Sequence, residues 1–233
     1  MRFVALSVDV IGARSVRELV LRISDGVRMV GWRALWIFPS WAVRRNFTVM
    51  VKDLRRIPPL PDSDDVRCVL LNEADIARAV EIEPTMTEEE IRHRWEEGQE
   101  CLVGWIGDTP AGLHWDTMRS LYLSFLGKTL RLAAGDSYAG HGYTHPRFRG
   151  RGVHPRLSLT AMHRARDRGA RRSISLTAVW NRAAHHIGFD KLERKVAGSI
   201  GYWTLGCGRR YTTTGDVRLE SDGSFHVLLC RDP

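Results

Sequence analysis

Arginines and glycines alternate in one short stretch, between a predicted strand and a predicted helix. Residues 147–152 have the spacing Arg-x-x-Gly-x-Gly. The first amides of a helix have no partner within the helix and lie at the positive end of its dipole, so they attract phosphate. Gly150 and Gly152 can adopt positive φ and turn successive amides toward one ligand. The stretch therefore predicts a phosphate-binding loop, and the alternative is a glycine turn with solvated arginines.

The elements around this loop indicate a mixed α/β or α+β fold. Hydrophobic periodicity predicts strands at 66–71, 101–106, 111–117, 138–144, 173–179, 196–205 and 225–230, and helices at 73–81, 87–98, 153–168 and 181–191. Residues 121–132 are apolar and fit neither pattern uniquely. A hairpin followed by alternating strands and helices is typical of a sheet flanked by helices.

The N-terminal part of the chain has a different pattern. Ser15 begins a Ser-x-x-Glu capping box, and apolar residues recur at helical spacing as far as Val27. The basic helix and the tryptophans that follow it could pack on the main domain, contact a membrane surface or dock a partner. Residues 57–65 are rich in proline and aspartate, which indicates a linker. We therefore predict a helical extension at 1–63 and a catalytic domain at 64–233.

The bulk composition disfavours some functions but does not identify one. The chain has a formal net charge of +8 and a pI near 9.8, which suits phosphate-bearing ligands, an acidic partner or an anionic membrane surface. Nucleic-acid binding is disfavoured, because the arginines are spread along the chain and no nucleic-acid-binding motif is present. The 4 cysteines are scattered without a CxxC pair, so we expect reduced thiols, a cytoplasmic location and no metal. No signal peptide or transmembrane segment is expected, and peripheral membrane contact stays open.

Residues 144–153 resemble the signature of the GNAT superfamily of acyl-CoA-dependent N-acyltransferases, which is a strand, a Gln/Arg-x-x-Gly-x-Gly/Ala loop and a helix. The resemblance extends over about 66–205, although only the loop is a specific match. It implies a central, mostly antiparallel sheet with one splayed parallel strand pair, flanked by helices. It also implies transfer of an acyl group from acetyl-CoA, or from a longer acyl-CoA, to a primary amine by direct attack.

The resemblance implies a coenzyme A site on these elements. Loop amides would hold the pyrophosphate, the strand before the loop would pair with the pantetheine arm, and the asparagine at 181 would face that arm or serve only as a helix cap. The expected cofactor-binding residues are Tyr143, Thr144, Arg147, Arg149, Gly150, Arg151, Gly152, Val153 and Asn181.

An amine that attacks a thioester must first lose a proton, because its reference pKa is about 10.4. Asp136 is the first choice of general base, since it begins the strand that borders the thioester in relatives. His141 is the second choice, because a bulge near the glycines of this strand would change which residues share a face. A main-chain N–H near Gly142 or Tyr143 would stabilise the oxyanion.

The family's usual proton donor to the leaving thiolate, a tyrosine, has no counterpart in this chain. Gly188 and Phe189 stand in that region. His185 is the first candidate to replace it, with His186 and Tyr202 as alternatives, and release of the thiolate into water is also open because a thiol of pKa near 8.5 is a tolerable leaving group.

The acceptor is not specified by the sequence. A peptide, an amino sugar or a small metabolite would each supply the amine, and residues 114–116 (His-Trp-Asp) could line the acceptor side, with the tryptophan more often a core residue. The missing tyrosine leaves a second function open, namely a GNAT-fold module that binds acyl-CoA as a sensor or partner without turnover. The oligomeric state is undetermined, and a dimer is one option.

Overall fold

A mixed β-sheet forms the frame of the molecule. The computed structural model describes residues 44–60, 65–205 and 208–228. The strands are β1 (Arg44–Asp53), β2 (Arg67–Leu70), β3 (Glu100–Ile106), β4 (Thr109–Thr117), β5 (Leu121–Leu123), β6 (Lys128–Arg131), β7 (Asp136–Thr144), β8 (Arg172–Ala178), β9 (Lys195–Leu205), β10 (Gly208–Gly215), β11 (Val217–Leu219) and β12 (Phe225–Val227). The α-helices are α1 (Ile76–Ile82), α2 (Glu88–Glu96), α3 (Val153–Asp167) and α4 (Arg182–His186).

The main sheet has the strand order β10-β9-β1-β8-β7-β4-β3-β2. All neighbouring strands in it are antiparallel except β7 and β8, which are parallel. A smaller sheet, β11-β12-β6-β5, packs its apolar residues against the β9-β1-β8 part of the main sheet. A mostly antiparallel sheet with one parallel pair, flanked by helices, is the fold that the resemblance implied, and this prediction is confirmed.

Alternation along β3 and β4 assigns the helices to opposite faces of the sheet. Leu102 packs against α3, whereas the next residue, Val103, packs in the cluster that contains α1 and α2. On β4 a Cβ at Gly112 would meet Val153 and Leu157 of α3, whereas Leu113 packs in the α1–α2 cluster. This is the period of two expected for a strand that is covered on both sides. β7 therefore has α3 on one face and the α1–α2 layer on the other.

The predicted domain boundary at residue 63 needs correction. β1 lies inside the main sheet, paired with β8 on one side and β9 on the other, and its Phe47 and Val49 are buried. Ile57 and Leu60 pack in the cluster that includes residues of α3. Proline and aspartate indicated a linker, but the strand before them belongs to the sheet, so a cut at 63 would remove a central strand. The predicted helix at 15–27 and the tryptophans after it lie outside the described residues.

Two further segments differ from the sequence prediction. The ambiguous residues 121–132 form β5 and β6, and their leucines at 121, 123, 126 and 130 are buried in the core. The helix predicted over 181–191 is instead α4 followed by a short π-helical turn at Ile187–Lys191. Among the described residues, no helix combines the length and the apolar character that crossing a bilayer requires.

Candidate functional site

The parallel strands β7 and β8 separate partway along their length. They are paired only where Asp136–Tyr138 faces Arg172–Ile174. Beyond that point β7 stays paired with β4 as far as Thr144, and β8 stays paired with β1 as far as Ala178. Each strand therefore turns an unpaired edge of main-chain N–H and C=O groups toward the other. We call this gap the splay.

The glycine loop, residues 147–153, connects the open end of β7 to α3. Gly150 and Gly152 have φ of 81° and 77°, and a Cβ added to either would meet no atom within 4 Å. Among the described residues, the N–H groups of Gly150, Gly152 and Val153 have no hydrogen-bond partner. Unpartnered amides with open space in front of them fit an anion such as a diphosphate.

Not every amide of the loop is available in this way. The N–H of Arg149 donates to the carbonyl of Pro146, and that of Arg151 donates to the carbonyl of Phe148, each over a long 3.4 Å. The glycine amides and the first amide of α3 are thus the better candidates for phosphate. The resemblance implied amides from all of residues 149–153, and the geometry favours three of them.

The three predicted arginines surround the loop in different ways. Arg149 folds back, donating from Nε to the Thr144 carbonyl at 3.2 Å, with its guanidinium 5.9 Å from the ring of Tyr143. The guanidinium of Arg151 lies 5.8 Å from the ring of Phe148. Arg147 is exposed. These side chains place positive charge around the loop while the main chain forms its surface.

The side chains of the remaining predicted cofactor residues pack within the protein or cap a helix. The Tyr143 side chain packs on the α1–α2 cluster, and the Thr144 hydroxyl is buried without a partner among the described residues. Val153 is 2% exposed and anchors α3 against β4, where a Cβ at Gly112 would lie 2.9 Å from it. Asn181 caps α4, since its Oδ1 accepts from the Ala184 N–H at 3.1 Å. On β7 it is thus the main chain, rather than these side chains, that is placed to pair with an extended ligand.

A bulge in β7 sets the direction of His141. Gly142 pairs with His114 and Ala139 pairs with Asp116, so two residues of β7, Gly140 and His141, stand opposite one residue of β4. Such an extra residue re-aims side chains. The His141 Nε2 lies 2.6 Å from Oε2 of Glu83, the residue that follows α1. The ring therefore lies on the α1 side of the sheet, just past the start of the splay.

The Glu83 carboxylate is held in its ionised form. Burial acts to raise its pKa, but the charge and hydrogen bond of His141, the charge of Arg94 and the hydroxyl of Thr85 outweigh burial and lower it. The sequence analysis did not identify Glu83, which lies 58 residues from His141. No local pattern marks such a pair, because the sheet and α1 bring it together.

Asp136, the first choice of base, lies in a buried ion pair instead. Its carboxylate is 2% exposed and receives Nε and Nη2 of Arg172 at 2.7 and 2.8 Å. The N–H of Ala133 donates to it at 3.1 Å. It also lies where β7 and β8 are still paired, at the opposite end of β7 from the glycine loop. This placement argues against Asp136 as the base and assigns it a structural role.

We expect Asp136→Asn to lower the free energy of unfolding by about 3 kcal/mol, because it leaves the buried Arg172 without its counter-charge. Urea denaturation measures the change. Asp167→Asn, which removes an exposed carboxylate bonded to Arg166, is the matched control and should change stability little. Unchanged stability together with lost turnover would restore Asp136 as the base.

Residues 114–116 do not line an acceptor side. Trp115 is fully buried in the α1–α2 cluster, as the core interpretation predicted. The His114 ring faces α3, 5.9 Å from that of His154, and neither of its nitrogens has a partner among the described residues. Burial and, to a smaller extent, neighbouring positive charges lower the pKa of His154 to about 4 and hold that of His114 well below its usual value. Both rings are therefore neutral at physiological pH.

Asp116 lies on the same α3-covered face, and burial, aided by Glu100 and opposed by Arg168 and Arg164, raises its pKa to about 7. A buried carboxyl costs the fold little while it is neutral, so its effect on stability is small below the unfolded pKa near 3.8. Stability is lost as the pH rises from there to about 7, because the carboxyl must then ionise while buried. We expect Asp116→Asn to stabilise the fold at pH 8 by up to about 4 kcal/mol, and much less at pH 4. Denaturant unfolding at both pH values tests this, with the exposed Asp108→Asn as control. An equal effect at both pH values would contradict it.

The three candidate proton donors lie in different surroundings. The His185 Nε2 lies 3.2 Å from the carbonyl of Ala178 at the end of β8, and its ring stacks on Phe189 at 5.6 Å. Burial lowers its pKa, and the bond to that carbonyl partly opposes the shift. His186 is exposed and paired with Asp190. Tyr202 is buried in the core between the main sheet and the smaller sheet, and its hydroxyl donates to the Phe125 carbonyl at 2.8 Å. His185 is the candidate at the open end of the splay.

Comparison with known proteins gives similarity at the level of the fold. No protein-family model matches the chain, and no curated protein is significantly similar to it. A solved structure described as an acetyltransferase of the GNAT family, from Novosphingobium aromaticivorans, is 19% identical with a TM-score of 0.49, covering 68% of this chain and 62% of that one. A GCN5-related N-acetyltransferase from Sphaerobacter thermophilus is 17% identical with a TM-score of 0.49, covering 77% of this chain and 54% of that one.

A third solved structure is the aminoglycoside N-acetyltransferase AAC(6′)-Iy in complex with CoA. It is 14% identical with a TM-score of 0.45, and the match covers 64% of this chain and 100% of that one. The matched part of this chain spans about three fifths of the length of the first of these proteins and about half of the second.

Proposed function

We propose that the chain is a GNAT-type N-acyltransferase that transfers an acyl group from acyl-CoA to a primary amine. One observation carries the proposal: the splay between β7 and β8 opens toward a loop whose glycine amides have no partner. A ligand with an extended amide-bearing arm and a diphosphate would use both features. The net charge of +8 also suits such a ligand.

Acyl-CoA supplies an activated thioester to this site. The unpaired edge of β7 would bind its amide-bearing arm, and the amides of Gly150, Gly152 and Val153 would bind its diphosphate. A main-chain N–H beside Gly142 would stabilise the negative charge that develops on the thioester oxygen. Acetyl is the default acyl group. The leucines of residues 121–132 are packed in the core, so they favour no tunnel for a long acyl chain in that segment.

His141 is the proposed general base. It would take one proton from the ammonium form of the acceptor and pass it to water. The amine nitrogen then bonds to the carbonyl carbon as the carbon–sulfur bond breaks, and the second proton leaves nitrogen for His185 or the solvent. His185, near the end of β8, is the proposed relay, because its neutral ring would take this proton and pass it to the thiolate. A cytoplasmic location and an amine acceptor such as a peptide, an amino sugar or a metabolite remain part of the proposal.

Thiol release tests this function. The purified chain is incubated with acetyl-CoA and, separately, with a longer acyl-CoA, each with a panel of peptides, amino sugars and polyamines. The free thiol that is released is measured by a colorimetric assay. Amine-dependent release supports the proposal. Binding of coenzyme A by calorimetry with no release across the panel would favour the sensor alternative. A chain that binds no coenzyme A would contradict both.

A further inference from the structure

The contact between Glu83 and His141 is close and largely removed from solvent. Their oxygen and ring nitrogen are 2.6 Å apart, and the two side chains are 10% and 17% exposed. The other carboxylate oxygen of Glu83 accepts from the Thr85 hydroxyl at 3.1 Å. Both oxygens are thus engaged, and the carboxylate is fixed against the ring.

The charge of the carboxylate decides which ring nitrogen carries the proton. Oε1 of Glu83 accepts from the Thr85 hydroxyl and Oε2 lies 2.6 Å from the ring nitrogen, which is the arrangement of an ionised carboxylate, a group that can only accept hydrogen bonds. The His141 Nε2 must therefore be the donor. In the neutral ring this puts the basic lone pair on Nδ1.

We propose that Glu83 is a positioning residue for the base: it holds His141 in the Nε2–H tautomer, so that Nδ1 receives the proton of the acceptor amine. This inference rests on the proposed function, because it gives the pair its purpose. Glu83 follows α1, whereas the glycine loop leads into α3 on the opposite face of the sheet. The geometry therefore separates the proton-accepting side from the phosphate-binding loop.

Charged and titratable groups near this pair come from both faces of the sheet. Arg94 of α2 lowers the pKa of Glu83, and its guanidinium lies over the Trp115 ring at 5.1 Å. His114 and His154 lie on the other face and are neutral, because burial lowers the pKa of each. Arg194, buried and bonded to Ser173, acts on those two histidines from the α3 side. Changing Glu83 thus removes the negative charge that contacts His141.

The test uses the full chain, labelled with ¹⁵N-histidine, and assigns the His141 ring by its loss in His141→Gln. In the wild type at high pH, Nε2 should show a pyrrole-like shift and Nδ1 a pyridine-like shift. Glu83→Gln should mix or reverse this pattern, because an amide can donate as well as accept. It should also lower kcat for thiol release from acetyl-CoA by about 10- to 100-fold, with little change in KM.

Two variants control for a merely structural role. Glu81→Gln makes the same change at an exposed position of α1 and should leave both the tautomer and kcat unchanged. Glu83→Asp keeps the charge on a shorter side chain, and it should keep the tautomer and recover part of kcat even if Glu83→Gln fails to fold. An unchanged tautomer or unchanged kcat in Glu83→Gln overturns the inference while leaving the transferase proposal intact. Failure of the wild type to bind coenzyme A or release thiol overturns the transferase proposal itself.

Discussion

Gly152→Asp should bind coenzyme A about thirty-fold more weakly than Gly152→Asn. Both replacements tolerate the left-handed backbone that Gly152 adopts at φ 77°, and they have nearly the same shape. They differ by one negative charge beside the unpartnered amides. A unit charge pair at 4 Å interacts by about 1 kcal/mol in water and about 4 kcal/mol near a protein surface, so about 2 kcal/mol is a reasonable penalty for a diphosphate. Isothermal titration calorimetry measures the difference.

The same aspartate should not harm the fold. A negative charge at the N-terminus of α3 interacts favourably with the helix dipole, by about 0.3 to 1 kcal/mol. Gly107→Asp provides the matched control, since Gly107 also has positive φ and open space around its Cβ position but lies in the β3–β4 turn. It should leave coenzyme A affinity unchanged. Equal affinities for Gly152→Asp and Gly152→Asn would show that no phosphate lies at this loop.

His141→Gln should lower kcat for amine-dependent thiol release by about 10²- to 10⁴-fold, which is the usual contribution of general acid–base catalysis. Glutamine can still donate a hydrogen bond to the buried Glu83, so the fold should persist. Coenzyme A affinity should be unchanged, because the loop amides lie beyond the open end of β7. Initial rates as a function of pH, measured with an amine that the wild type uses, give the comparison.

An exposed histidine provides the control, because it separates the loss of the general base from a general effect of replacing histidine with glutamine. His93 of α2 is 61% exposed, and His93→Gln should retain full turnover. If His141→Gln also kept full turnover across the pH range, the base would have to be sought elsewhere, or the amine would lose its proton to water alone.

The glycine loop could be predicted from sequence because its information is local. Gly150 and Gly152 occupy a strand-to-helix turn, and their positive φ was expected from residue type alone. The parallel pair of β7 and β8 was implied by the resemblance of this loop to the GNAT signature. What the sequence could not give was the point where these strands separate, because that depends on pairing with β4 and β1.

Two features of the site depend on contacts between distant residues. Asp136 was chosen as base by its position on the strand, but its partner Arg172 lies 36 residues away and is brought there by the parallel pairing. Glu83 was missed because only the folded chain joins it to His141. The bulge that aims His141 was considered beforehand, since glycines flank it at 140 and 142.

β1 is a different case, because a usable signal was present. Phe47 and Val49 are buried and alternate with the less buried Asn46 and Thr48 over the first part of the strand, as expected for a strand of this kind. The proline-rich stretch after it was given more weight, and it moved the predicted boundary past a central strand. Alternation over several residues is therefore stronger evidence for a sheet than a following proline is against one.

Amide chemical shifts during a titration with coenzyme A test the central claim most directly. The ¹⁵N–¹H resonances of Gly150, Gly152 and Val153 should show the largest changes, with the amide protons moving downfield as they bond to phosphate oxygens. The same residues should respond to 3′-dephospho-CoA, which retains the diphosphate. Binding of coenzyme A that left these three resonances in place, or no binding at all, would contradict the account.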